Sequence, residues 1–151
     1  MASFMPFDIP EQKKLRLIIN TDAKNEADDQ FAITHALLTP RFDIRGIIAA
    51  HFGETKSKRS MEDSHAECVH LLGLLGQAGK VPLVKGAERA LADEQTPVPS
   101  PGAELLIREA MAADSKPLYA IFLGPLTDLA SALLIEPAIA SRMKVIWIGG
   151  G

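Results

Sequence analysis

The fold of this chain is organised around residues 15–33, LRLIINTDAKNEADDQFAI. An apolar run ends in a polar turn rich in acids, and a second apolar run follows at helical spacing. The pattern predicts a buried strand from Leu15 to about Thr21, a loop, and a helix beginning at Asp28 or Asp29. In a parallel sheet, ligands bind just beyond the carboxyl ends of the strands. We therefore expect a functional site in the turn that follows Thr21.

Four acids occupy this turn and the start of the predicted helix, and we expect them to converge on one small volume: Asp22, Glu26, Asp28 and Asp29. Carboxylates this close raise one another's pKa unless a cation or hydrogen-bond donors neutralise them. Calcium and magnesium, which take oxygen ligands, are the candidate ions. Aspartates at a helix amino terminus can instead cap free N–H groups. The pattern alone leaves both interpretations open.

Length and composition favour a single aliphatic domain, residues 1–151. Of its 151 residues 47% are hydrophobic and only 5% aromatic, which is typical of an α/β core. A formal net charge of -3 does not indicate binding to nucleic acid or to an anionic membrane. No apolar run is long enough to span a bilayer, and the first residues do not resemble a signal peptide. The sequence predicts a cytoplasmic protein without an intramolecular disulfide, since Cys68 is its single cysteine.

Further apolar segments read as strands and alternate with helical patterns. Including their exit turns, these strands are expected within residues 42–51, 81–91, 117–123 and 142–151. Ser60 to Asp63 reads as a capping box that opens one helix. Ser100, with Pro101 at the first helical position, is expected to cap another. Such alternation indicates an α/β fold with a parallel sheet.

Several of these motifs resemble one enzyme family. Asn20-Thr-Asp22 followed by Asp28-Asp29 is similar to the Asp-x-Asp–turn–Asp-Asp signature of the inosine–uridine-preferring nucleoside hydrolases. Gly124-Pro-Leu-Thr-Asp128 is similar to the family's Gly-Pro-Leu-Thr-Asn turn, and the segments that begin at Val81 and Val145 also resemble family segments. The resemblance runs from about Leu15 to Gly151. It implies a three-layer α/β/α fold with a mostly parallel, Rossmann-like sheet.

The chain departs from the family pattern at defined positions. Asn20 stands in place of the first acid of Asp-x-Asp, and Asp128 in place of the final asparagine of the Gly-Pro turn. Glu54 replaces an asparagine that faces the substrate in the family, and Leu123 replaces a threonine. The turn after Asp22 is also longer. Family members are considerably longer than this chain, so the resemblance implies an amino-terminal portion of such an enzyme.

The resemblance implies a hydrolase that cleaves the N-glycosidic bond of ribonucleosides to ribose and free base, using water activated by calcium. Asp22 is expected to be the general base and a metal ligand, with Asp29 and the Leu123 carbonyl as further ligands. Asp28 is expected to accept a hydrogen bond from a ribose hydroxyl. Glu54, by its place in the family pattern, and Asn25, by proximity in the longer turn, are further candidates for substrate contact.

Two other functions remain open at this point. One is a metal-dependent phosphohydrolase, for which Lys24 is close to the acids although no Walker-type glycine loop is present. The other is a sugar-binding, nucleoside-binding or inactive descendant of the family, which the departures favour. The expected partner is a small nucleoside, not nucleic acid or membrane.

The remaining predictions concern packing. Thr127 and Asp128 are expected to cap the helix that follows them. Trp147 and His35 are assigned to the core, with an interface as the alternative for His35, while His51 is expected to pack or to contact substrate. The sheet is expected to lack neighbours at one edge and to expose apolar surface there, which favours a homo-oligomer.

Overall fold

One parallel sheet organises the computed structural model, which describes residues 7–149. The described residues form the strands β1 (Leu15–Thr21), β2 (Phe42–Ala49), β3 (Leu83–Lys85), β4 (Leu118–Phe122) and β5 (Lys144–Trp147). They also form the helices α1 (Asp28–Leu38), α2 (Ser60–Leu74), α3 (Pro101–Met111) and α4 (Thr127–Ile135). The predicted strands are confirmed, and every pairing between neighbouring strands is parallel.

Apolar side chains cover both faces of the central strand, β1. Ile18 faces a cluster that includes Leu105 and Leu106 of α3 and Leu129 of α4. On the opposite face lies a second cluster, whose members on β1, α1 and α2 are Leu17, Ile19, Ile33, Cys68 and Leu72. Each fully buried aliphatic side chain contributes about 1.5–3 kcal/mol. Helices therefore enclose the sheet from both sides, which confirms the three-layer prediction.

The strand order β3-β2-β1-β4-β5 places the candidate site. The chain runs outward from β1 to β3 and then returns to place β4 on the other side of β1. In open α/β sheets, ligands bind where the order reverses in this way. Asn20 is in register with Phe122, and the Leu123 N–H donates to the Asn20 carbonyl at 2.9 Å. Asp22 and Leu123 therefore leave the sheet beside each other.

β5 lies at an edge of the sheet and exposes apolar side chains. Trp147 is 47% exposed and Ile146 is 54% exposed, so the assignment of Trp147 to the core is wrong. The reason is that, within residues 7–149, β5 pairs with β4 alone, and all four of its residues are exposed. An apolar cavity of about 340 Å³, lined in part by Ile146 and Tyr119, separates this edge from α1. The predicted exposure of an apolar edge is confirmed.

Two helix starts differ in how they are capped. The Ser100 side chain accepts a hydrogen bond from the Ala103 N–H at 3.0 Å, which confirms the predicted cap of α3. The capping box at α2 is wrong, because the Ser60 hydroxyl accepts from the Phe52 N–H at 3.2 Å instead. His35 is exposed on α1 and is not a core residue. No helix within residues 7–149 is long and apolar enough to cross a bilayer.

Candidate functional site

The Asp22 carboxylate lies against the backbone that follows β4. A Cβ atom placed on Gly124 would lie 3.1 Å from Cβ, Cγ and Oδ1 of Asp22. Any side chain at Gly124 would therefore press on the carboxylate. Leu123 immediately precedes this glycine, so its backbone is near Asp22, and the role of its carbonyl as a ligand stays a prediction.

Asp29 is the second buried acid of the site. It lies in the first turn of α1 and is 6% exposed, while Asp22 is 8% exposed. The Thr21 hydroxyl donates a hydrogen bond to Oδ2 of Asp29. Burial, together with the negative charge of Asp22, raises the pKa of Asp29 to about 6. The structure thus places two mutually repelling carboxylates at one end of the sheet.

Asn25 orients the Asp22 carboxylate. Its Nδ2 donates to Oδ2 of Asp22 at 3.0 Å, and its Oδ1 accepts from Lys56 Nζ at 2.6 Å. Burial raises the pKa of Asp22, and this hydrogen bond opposes that rise without cancelling it. The turn after β1 is therefore fastened to the loop after β2.

The predicted convergence of four acids is only half correct. Asp28 and Glu26 are exposed, although their charges contribute to the raised pKa of Asp22. Successive residues of a helix point about 100° apart, so neighbouring Asp28 and Asp29 cannot face the same side. Glu54 is also exposed, in the turn after β2. Within residues 7–149 no group of three or more His, Cys, Asp or Glu side chains is arranged to hold a metal ion.

The capping interpretation of these acids is also not realised. The residue at the cap position of α1 is Ala27, and no side chain bonds to the free N–H groups there. Asp28 and Asp29 lie in the first turn, where the helix dipole favours negative charge.

The donor groups fit a hard divalent cation. Asp22 and Asp29 are buried oxygen donors, and no lysine or arginine among the described residues is a cause of their pKa shifts. The backbone at Gly124 lies against Asp22, so the carbonyl of the preceding Leu123 is the candidate for a third oxygen donor. Calcium takes carboxylate and backbone carbonyl oxygens together. These residues could therefore hold calcium.

Asp128 is a buried residue that the sequence interpretation misassigned. It does not cap α4, whose cap position is Leu126 and has no side-chain bond. Its carboxylate is 1% exposed and accepts hydrogen bonds from Asn20 Nδ2 at 3.1 Å, from the Ala87 N–H at 2.9 Å and from Ser100 Oγ at 2.6 Å. Burial outweighs these bonds and raises the pKa of Asp128. Glycines at the exit of β3 and the start of α3 are compatible with a close approach there, but they do not identify Asp128 as the partner.

Thr127 likewise serves a buried contact and not a cap. The Gly53 N–H donates to Nδ1 of His51 at 3.2 Å, so Nδ1 is an acceptor and the proton lies on Nε2. Nε2 therefore donates to the Thr127 hydroxyl, at 2.8 Å. Burial lowers the pKa of His51, although the charges of Asp128 and Asp22 oppose the change. His51 is a buried, neutral imidazole at the edge of the site.

Comparisons with known proteins agree with this arrangement. The family model described as "Inosine-uridine preferring nucleoside hydrolase" matches residues 17–151. An inosine-guanosine nucleoside hydrolase of known structure has 24% identity and a TM-score of 0.69, over 90% of this chain and 49% of that chain. A purine-preferring ribonucleoside hydrolase from Gardnerella vaginalis has 23% identity and a TM-score of 0.72, over 90% of this chain and 49% of that one.

A third structure, a nucleoside hydrolase-related hypothetical protein from Saccharophagus degradans, has 20% identity and a TM-score of 0.63, over 91% of this chain and 39% of that chain. No curated protein matches the chain. The chain thus spans about half, or less, of the length of these solved structures. At such identities the structural likeness shows the fold, whereas the family model covers nearly all of the sequence. The chain therefore belongs to the inosine-uridine preferring nucleoside hydrolase family.

Proposed function

We propose that this chain carries the water-activating part of the site of a hydrolase that cleaves the N-glycosidic bond of ribonucleosides. The observation that carries the proposal is the pair of buried carboxylates, Asp22 and Asp29, at the reversal of strand order, with Asp22 against the backbone at Gly124. Family membership supplies the reaction class, and the geometry supplies the residues that would perform it.

Hydrolysis at an anomeric carbon passes through an oxocarbenium-like transition state, so a base must take a proton from the attacking water. Asp22 suits this role because burial raises its pKa, which makes its carboxylate a stronger base. The hydrogen bond from Asn25 fixes the orientation of that carboxylate. Asp22, Asp29 and the Leu123 carbonyl would hold calcium, which when bound supplies a Lewis acid that lowers the pKa of a water.

The substrate contacts of the proposal lie around this pair. Asp28 is exposed beside Asp22 and would accept a hydrogen bond from a ribose hydroxyl. Glu54 is exposed at the same edge of the sheet and is free to contact the nucleoside. Asn25 already bonds to Asp22 and Lys56, so its contribution is to orient the base as well as to contact substrate.

The alternative of a phosphohydrolase receives less support. Lys24, the basic residue nearest the acids in sequence, forms an ion pair with Glu67 at 2.9 Å and does not pair with Asp22. A nucleoside-binding protein without turnover is the second alternative, and the presence of Asn20 and Glu54 at two of the candidate positions favours it.

The test measures release of free ribose from inosine and uridine, with calcium present or chelated. Asp22→Ala is expected to lower turnover by about 10³-fold or more, because it removes the base and a ligand together. Asp8→Ala is the matched control, since Asp8 is exposed on a segment that precedes β1. Release of phosphate from a phosphate ester without release of ribose would favour the phosphohydrolase. Binding of nucleoside and calcium without release of ribose would favour the binding protein.

Self-association is a separate part of the proposal. The apolar side chains that β5 exposes would be covered if two copies met at this edge. Sedimentation at several concentrations tests this, and Ile146→Lys is expected to shift the chain towards monomer. A monomer at all concentrations would contradict the expectation.

A further inference from the structure

Asp128 joins segments that lie far apart in the sequence. Oδ1 accepts from the Ala87 N–H and from Ser100 Oγ, and Oδ2 accepts from Asn20 Nδ2. These donors belong to the exit of β3, the cap of α3 and the end of β1. Because all three groups donate, the side chain at this position must accept on both of its oxygens.

The space around this carboxylate admits little movement. A Cβ atom on Gly86 would overlap Oδ2 of Asp128, and one on Gly102 would lie 2.9 Å from Oδ1. Asn20 is fully buried and is the next-to-last residue of β1, just before Thr21 and Asp22. A shift of Asp128 would therefore also shift the end of β1, which precedes the proposed base.

The two partners of this hydrogen bond differ in what they can supply. Position 20 carries an amide, which can donate an N–H, and position 128 carries an acid, which when ionised can only accept. The structure shows these two side chains bonded to each other at 3.1 Å. The contact thus joins one donor to one acceptor.

We propose that Asn20 and Asp128 are a matched donor–acceptor pair and that Asp128 is the positioning residue for the end of β1. The proposal deepens the proposed function and rests on it for the role of Asp22. The charge of the pair lies where more donors reach it, since position 128 receives three hydrogen bonds and Asn20 Oδ1 has no partner among the described residues.

The geometry predicts different results for the two single variants. Asn20→Asp places a second carboxylate against Asp128 with no donor between them, so the equilibrium constant for unfolding is expected to rise about 100-fold or more. Asp128→Asn leaves two amides in contact, and rotation of the Asn20 amide relieves part of the conflict. The equilibrium constant for unfolding of that variant is expected to rise about tenfold.

The double variant Asn20→Asp/Asp128→Asn is expected to recover most of the loss caused by Asn20→Asp. The amide at position 128 then keeps its oxygen towards Ser100 and Ala87 and directs its N–H to the new carboxylate. Asp8→Asn controls for the loss of one negative charge at an exposed site. Additive effects of the two substitutions on unfolding by urea would overturn the proposal.

A second measurement separates positioning from general stability. The Asn25 side-chain amide donates to Asp22, so its NMR resonance reports the place of the Asp22 carboxylate. It is expected to shift in Asn20→Asp and to return in the double variant, and an unchanged resonance would overturn the positioning role. Neither measurement needs a nucleoside. If the chain releases no ribose the proposed function fails by itself, while an additive cycle in an active chain overturns only this inference.

Discussion

The two ends of the sheet bury acids in opposite electrostatic environments. At the amino end, Glu109 bonds to the guanidinium groups of Arg16 at 3.1 Å and Arg45 at 2.8 Å. Burial alone would raise the pKa of Glu109, but these bonds outweigh it and hold the pKa below its ordinary value. At the carboxyl end, burial raises the pKa of Asp22 and of Asp29, and neutral donors only partly oppose it.

The difference shows which acids serve the fold and which are available for chemistry. Arg16 is 2% exposed, so Glu109 is needed to balance a cation that the fold itself buries. Asp22 and Asp29 repel each other, and the described residues provide them with hydrogen bonds but no ion pair. An arrangement that costs stability is typical of a functional site.

The largest effect on stability is expected from removing the carboxylate of Glu109 at the amino end of the sheet. Glu109→Gln leaves the buried Arg16 with only the more distant carboxylate of Asp114, at 3.6 Å, so the free energy of unfolding should fall by about 3 kcal/mol at pH 7. Because the pKa of Glu109 is lowered in the folded chain, its contribution is present above its unfolded value and is lost as the pH falls through its folded value. The difference in the free energy of unfolding between variant and parent should therefore become smaller in acid. Glu104→Gln, an exposed position on the same helix, is the matched control in urea unfolding, and equal losses in the two variants would contradict the interpretation.

At the carboxyl end of the sheet, stability is expected to depend on pH in the opposite direction. The pKa of Asp29 is raised from 3.8 to about 6, so its contribution to stability is present below the unfolded value and is lost as the pH rises through 6. Asp29→Asn removes this loss and should stabilise the calcium-free chain by about 2–3 kcal/mol at pH 8. At pH 4 the difference should nearly vanish. Asp28→Asn, at the exposed neighbouring position, is the matched control for the loss of one carboxylate, and a destabilised Asp29→Asn at pH 8 would refute the comparison.

Calcium should produce the smallest and most local change. Calcium at ten times its dissociation constant is expected to raise the free energy of unfolding by about 1.4 kcal/mol, since it binds the folded chain and not the unfolded one. The gain should persist in a variant of Glu104 and disappear in Asp29→Asn. Thermal unfolding with and without a chelator measures it. An equal gain in Asp29→Asn would place the ion elsewhere.

Much of the site could be predicted from local pattern. The run from Leu15 to Thr21 can be buried only as a central strand, and the acids that follow a parallel strand must emerge at the ligand-binding edge. The roles of Asp29 and of the Leu123 carbonyl as ligands came from the family resemblance and stay predictions. The spread of Asp28 and Glu26 away from the buried pair could not be predicted, because it depends on the helical phase at which α1 begins.

Local pattern is enough to predict the alternation of strands and helices, the parallel sheet and the edge where the acids emerge, since apolar periodicity is a local property. The folded chain alone reveals that Asp128 meets Asn20, that His51 donates to Thr127 and that Trp147 is exposed on β5. Hydrogen bonds between residues 108 and 76 positions apart leave no periodic trace, and the exposure of an edge strand depends on what lies beside it in space.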